Sequence, residues 1–268
     1  MQISNSRGLQ GGVLMIVVIA LALSAQASFN NASLKGGYSF LTNRWTADVN
    51  RSQEGVVGVM TFDGTGNVTA SYTSISGGVV QTGTASGTYI VNSNGTGAIS
   101  FTTGSSPPQF AITLTSSAAG LAHGMQLLRT NDNRNLVESG TALLQSTTAT
   151  TYTLASVKGN FSLQLNEWDA NVNDSQEGIV GIASFDGAGK VKGSTTDVNG
   201  GVLNTGTFTG TYTVNSDGSA SMSLTAGTDH PQVAFALNSV AAGHAKGAQL
   251  LRTNTTGNKV QSGIALKQ

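Results

Sequence analysis

Gln126-Leu127-Leu128-Arg129-Thr130-Asn131 recurs as Gln249-Leu250-Leu251-Arg252-Thr253-Asn254, 123 residues further along a chain of 268. The same offset carries Ser52-Gln53-Glu54-Gly55 onto Ser175-Gln176-Glu177-Gly178. Extended outward, it aligns Ala32–Gln145 on Ala155–Gln268 without a gap, and 62 of the 114 pairs are identical. A period of this length is a whole domain, because each copy is large enough to enclose its own core. The organisation read from it is repeat 1 at 32–145, a Thr- and Ser-rich linker at 146–154, and repeat 2 at 155–268.

Each copy reads as short strands, from two-residue alternation broken by turn residues. Tyr38 and Phe40 share one face of the first strand, as do Phe161 and Leu163 in the second copy. The second strand spans about Gly55–Phe62 and ends in Asp63-Gly64-Thr65-Gly66, repeated as Asp186-Gly187-Ala188-Gly189; glycine accepts the positive φ that a tight hairpin requires. A third strand runs to about Ile75 and turns at Gly77-Gly78. A fourth carries Tyr89 and Val91 and turns at Asn94-Gly95, and Ile99 and Phe101 mark a fifth. Phe110, Ile112 and Leu114 mark the sixth, Gly124–Arg129 the seventh, and Val137, Thr141 and Leu143 the eighth. Eight short strands joined by sequential turns predict an all-β antiparallel meander in each copy. Such a meander closes into an up-and-down barrel with room for one small ligand, a two-sheet sandwich being the alternative.

Composition agrees. Gly is frequent (35 residues), Pro is rare (3), and Thr, Ser, Asn and Val are abundant, the mixture expected of strands and tight turns. Charged residues are 10% of the chain, with 13 acidic and 13 basic. No net field therefore steers it toward nucleic acid or an anionic lipid surface. Basic stripes interleaved with aromatics are missing too, which argues against nucleic acid as a partner. There is no cysteine, so disulfides and thiolate chemistry are excluded. Aromatics, at 6%, are too few for the two girdles of an outer-membrane barrel.

The N-terminus has the layout of a signal peptide over residues 1–27. Arg7 precedes an apolar run of 11 residues, Val13 to Leu23, and Ala25-Gln26-Ala27 supplies a small-x-small site before Ser28. The run is shorter than the roughly 20 residues of a spanning helix. The expectation is an exported protein (periplasmic, extracellular or cell-surface) with no stable membrane insertion after cleavage. A retained N-terminal anchor is the alternative.

The order of features resembles the calycin group, which includes lipocalins and avidin-like barrels. Gly36-Gly37-Tyr38 and Gly159-Asn160-Phe161 stand where those proteins open with Gly-x-Trp, and Arg129 and Arg252 stand where a late strand supplies a basic residue packing over it. Tyr and Phe replace the tryptophan, which is a departure from the pattern. The resemblance implies a ligand-holding barrel. Each copy is also similar to Gly-rich repeats of exported bacterial proteins that carry no known activity.

The duplication serves as an internal filter, since a residue both copies need appears in both. The histidines fail it: His123 aligns with Lys246, His244 with Leu121 and His230 with Pro107. Polar and aromatic pairs that pass include Trp45/Trp168, Gln53/Gln176, Glu54/Glu177, Asp63/Asp186, Tyr89/Tyr212, Gln126/Gln249 and Arg129/Arg252. They contain no nucleophile–base set, so an enzyme is not expected. The aspartates read as turn caps. Glu54 and Glu177 read as structural ion-pair partners of Arg129 and Arg252. Asp169, Asn171 and Asn173 have alternate-oxygen spacing, but no glycine follows at the sixth position of a calcium loop and Glu177 falls too early. No metal or cofactor is expected.

Trp45 and Trp168 are read on a polar loop, Asn43–Gly55 in the first copy, at a barrel mouth. The expected ligand-binding set is Trp45, Tyr38, Tyr89 and Arg129, with Trp168, Phe161, Tyr212 and Arg252 as counterparts. The function anticipated is that of an exported, non-catalytic binding protein holding a small apolar molecule or glycan in each barrel. A structural or adhesive surface protein is the competing class, and an enzyme is third. Oligomeric state is not legible from the chain.

Overall fold

Tight Asp-Gly turns and two-residue alternation organise the chain into sixteen strands among the described residues. The computed structural model describes residues 28–46, 53–104, 106–118, 120–132, 136–146, 151–169, 176–255 and 259–268. The expected signal peptide, 1–27, lies outside them, as do Asn171 and Asn173.

The first copy supplies β1 (Lys35–Thr46), β2 (Glu54–Asp63), β3 (Asn67–Ser76), β4 (Val79–Val91), β5 (Thr96–Phe101), β6 (Gln109–Ala118), β7 (Leu121–Arg129) and β8 (Leu136–Leu144). Each pairs antiparallel with its sequence neighbours, and β8 returns to β1 with Tyr38 opposite Leu144 and Thr46 opposite Leu136. The sheet closes, so the architecture is a barrel and not a sandwich. The second copy repeats this with β9 (Gly159–Asp169), β10 (Glu177–Phe185), β11 (Lys190–Asn199), β12 (Val202–Val214), β13 (Ser219–Thr225), β14 (Gln232–Asn238), β15 (Gly247–Arg252) and β16 (Lys259–Lys267), which also close.

The hairpin aspartates act as read. Asp63 Oδ1 accepts from the amides of Thr65, Gly66 and Asn67, with Gly64 at φ 83°, and Oδ2 from Thr65 Oγ1 and Asn67 Nδ2; the two side-chain bonds first, then the amides, hold its carboxyl well below the usual range. Asp186 repeats the arrangement on Ala188 and Lys190.

A short 3-10 turn, Asn31–Ser33 in the first copy and Leu154–Val157 in the second, closes one end of each barrel. Beneath it, Tyr38, Phe62 and Tyr89 stack edge to face, centroids 5.4 and 5.0 Å apart, an arrangement that adds to the burial of their large apolar area. The Tyr89 hydroxyl donates to the carbonyls of Asn31 and Leu34, and that of Tyr38 to Ala122. Phe161, Phe185 and Tyr212 repeat the plug, with the Tyr212 hydroxyl donating to Leu154. Tyr152, inside the stretch read as linker, already belongs to barrel 2: it is buried, and its amide bonds the Ser216 carbonyl, as that of Phe29 bonds Ser93.

On β8, Val137 and Leu143 face outward, and the inward face is Glu138, Ala142 and Leu144, all buried. One expectation is corrected. The tryptophans lie in strands and not in a loop, Trp45 opposite Val137 and Trp168 opposite Val260.

The barrels dock side by side. Leu41, Val57, Val59 and Ile75 on the outside of barrel 1 bury against Ala234, Ala236, Leu251 and Val260 of barrel 2. Gln249 Nε2 donates to the carbonyls of Ser39 (3.2 Å) and Thr141 (3.4 Å), and Ser262 Oγ donates to Asn43 Oδ1. At the edge, Ser71 Oγ donates to Asp217 Oδ2 at 2.6 Å.

Candidate ligand site

Alternation along β1 sends Tyr38, Phe40, Thr42 and Arg44 inward, so the barrel interior passes from an aromatic plug at one end to a charged group at the other. Barrel 1 holds a cavity of about 460 Å³ in this polar half. Phe40, Val56, Met60, Phe101 and Phe110 form its apolar wall, and Arg44, Glu54, Arg129 and Glu138 its polar one.

These charges form a chain. Arg44 bonds Glu54 at 2.9 Å and Asp132 at 2.8 Å; Arg129 bonds Asp132 at 3.3 Å and Glu138 at 2.9 Å; Glu138 also accepts from Thr42 Oγ1. Burial pushes the Glu138 carboxyl above its usual range, against the pull of Arg129 and Thr42. For Arg44, burial alone would lower the pKa, but the Glu54 bond and the charges of Asp132 and Glu138 outweigh it and raise it. The expected pairing of Glu54 with Arg129 is therefore replaced: Arg44 takes Glu54, and Glu138 and Asp132 take Arg129. Arg44 and Glu138 are the nearer partners because β1–β2 and β7–β8 are adjacent strands.

Barrel 2 holds about 540 Å³ at the equivalent end, lined by Leu163, Leu165, Ile179, Phe208, Met222 and Leu250. Its polar wall is rebuilt. Gln261 replaces Glu138 and donates to Glu177 at 2.9 Å. Arg252 turns to Asp229 at 2.9 Å, so the expected Glu177–Arg252 pair is also replaced. Lys259 reaches Glu167, the residue in place of Arg44, at 3.5 Å and Asp169 at 3.2 Å. Burial, followed by repulsion from Glu167 and Asp197, pushes Glu177 upward. The apolar lining is rebuilt as well: Phe208 lies over Gly193, where its ring leaves no room for a Cβ, whereas the first copy has Ala85 and Ala70.

Of the sequence-selected residues, Arg129 and Glu54 line the cavity of barrel 1, and Arg252 and Glu177 that of barrel 2. Tyr38, Tyr89, Phe161 and Tyr212 belong to the plugs at the opposite ends. Arg129 therefore does not pack over Tyr38 as the calycin resemblance implied. Trp45 and Trp168 point outward and meet each other edge to face at the barrel junction, centroids 6.0 Å apart. The cavity residues missed by sequence reasoning are Arg44, Glu138 and Tyr72, together with Asp132, which pairs with both arginines. Among the described residues no cluster of His, Asp or Glu is arranged to hold a metal ion, and no helix is long and apolar enough to cross a membrane.

No protein-family model matches the chain, and no curated protein matches it. Solved structures give distant likenesses. A protein of unknown function from the DUF3598 family of Nostoc punctiforme PCC 73102 is 10% identical, with 89% of this chain and 98% of that chain covered at a TM-score of 0.28. HpuA of Kingella denitrificans, in complex with human haemoglobin, is 10% identical over 84% of this chain and 91% of its own at a TM-score of 0.32. The apo haemoglobin receptor HpuA gives 11%, 84%, 89% and 0.27 for the same four quantities. Likeness at this level establishes neither a family nor a function for this chain.

Proposed function

We propose that the chain is an exported, non-catalytic binding protein whose two barrels each take a small molecule with an apolar body and a polar tip. One observation carries the reading: each barrel is plugged at one end and holds a cavity of about 460 or 540 Å³ at the other. That volume, an apolar wall and a few convergent polar groups are the usual features of a small-ligand pocket. A ligand's apolar part would contact Phe110 and Met60 in barrel 1, or Met222 and Leu250 in barrel 2. Its polar part, a hydroxyl, glycan oxygen or charged group, would meet the Arg44–Glu138 chain or the Glu177–Arg252 wall. The two rebuilt polar walls favour different ligands in the two barrels, barrel 2 preferring the more cationic tip because Glu177, Asp197 and Asp229 surround the single Arg252 there.

The test is equilibrium binding of an apolar fluorescent probe and of a glycan panel to the purified chain. Ala85→Trp is expected to fill cavity 1 and Ala226→Trp cavity 2, each removing one class of site. Trp45→Ala and Trp168→Ala are expected to leave binding intact. Binding that survives both cavity-filling changes together would sink the proposal.

A further inference from the structure

The junction between the barrels is heterologous: the β1–β2 face of barrel 1 meets the β14–β15–β16 face of barrel 2. Because the barrels are copies, each contact face has a counterpart that the junction leaves uncovered. Val57, Val59 and Ile75 correspond to Val180, Ile182 and Val198, which are 55%, 44% and 45% exposed. Leu251 and Val260 correspond to Leu128 and Val137, exposed at 50% and 54%. Gln249 and Ser262, which make the polar bonds of the junction, correspond to the retained Gln126 and Ser139.

A glycine supplies a second, independent observation. Gly55 is the socket of the junction: a Cβ there would come within 2.5 Å of Leu251 Cδ1 and 3.1 Å of Val260 Cγ1. The second copy keeps Gly178 at this position, where a Cβ would meet nothing nearer than Asn166 Oδ1 at 3.8 Å. The socket is preserved and unfilled, and Leu128, the residue that would fill it, stands exposed on the other barrel.

We infer that the chain self-associates head to tail, the free β9–β10 face of one molecule receiving the free β6–β7–β8 face of the next. Val180 and Ile182 would bury against Ala111 and Leu128 of the incoming copy, Leu128 would seat over Gly178, and Gln126 would donate to the carbonyls of Ser162 and Ile264. A heterologous contact of this kind adds subunits one at a time and ends in a ring or an open filament according to its rotation. Three replacements weaken it relative to the junction: Gln164 for Leu41, Thr113 for Ala236 and Asn94 for Asp217. The covalent tether also raises the effective concentration at the junction and is missing between molecules. The association is therefore reversible and concentration-dependent.

Sedimentation velocity of the full chain tests this, with Val180→Lys and Leu128→Lys as single-face variants. Both side chains are exposed, so unchanged circular dichroism and thermal unfolding would show each variant folded. The wild type is expected to gain mass with concentration in steps of one chain, and each variant alone to stay monomeric. Mixed together, the two variants are expected to form a one-to-one dimer and nothing larger, since only one compatible pair of faces remains. A wild type that stays monomeric throughout would overturn the inference and assign these faces to another partner. Association that survives in either variant alone, or a mixture that stays monomeric, would overturn it equally.

Discussion

Gly55→Ala and Gly178→Ala are the same change in the same local sequence on equivalent strands, and they are expected to differ in sign. Alanine in a strand gains roughly 0.5–1 kcal/mol over glycine from the backbone, and this contribution is common to both variants. At Gly178 the new methyl meets only Asn166 Oδ1 at 3.8 Å, so the backbone gain should appear nearly in full. At Gly55 it comes within 2.5 Å of Leu251 Cδ1, and Leu251 is fully buried with Val260 at its side. Added methyl groups in a packed core cost roughly 1–3 kcal/mol, so Gly55→Ala should be destabilising overall. The gap between the two variants isolates that packing cost, at about 2–4 °C in Tm for each kcal/mol in a protein of this size. Thermal unfolding at concentrations where the chain is monomeric reads it. Equal Tm values for the two variants would refute the docked arrangement of the barrels.

The ion network yields a comparison between the copies. Arg129→Met strands the buried Glu138 and is expected to cost about 3–5 kcal/mol in denaturant unfolding. The partner of Arg252 is Asp229, whose side chain is 54% exposed, so Arg252→Met should cost no more than about 1 kcal/mol. Stability as a function of pH tests Glu177. Its folded pKa is raised by burial and by Glu167 and Asp197, so its contribution is fully present below the unfolded pKa and is lost as pH rises through the folded pKa. Glu177→Gln should therefore flatten the decline in Tm from acid to neutral pH, and an unchanged slope would contradict the assignment. Asp63→Ala should lower Tm at neutral pH, with the difference from wild type shrinking as acid protonates Asp63.

The barrels were legible because their signals are local. Asp63-Gly64 and Asn94-Gly95 punctuate the strands, and Tyr38 and Phe40 announce which face of β1 is buried. The tryptophans were misplaced for a reason that parity supplies: Trp45 stands seven residues after Tyr38 and Trp168 seven after Phe161, an odd offset that turns each to the outer face. The cavities were harder to read. Filtering by shared residues keeps Glu54 and Arg129 with their counterparts but discards the positions where the copies diverge, and the rest of each polar network comes from those positions: Arg44 against Glu167, Asp132 against Thr255, Glu138 against Gln261. Gln249 passed the filter with Gln126, yet only the docked barrels gave it a role, because a contact between domains leaves no local periodicity.

The central claim, that the half-empty barrels hold ligands, is tested most directly by native mass spectrometry of the chain purified from its own host. Bound small molecules are expected, no more than one per barrel, and absent from the Ala85→Trp, Ala226→Trp double variant. A chain that carries no added mass, or an adduct that persists in the double variant, would contradict it.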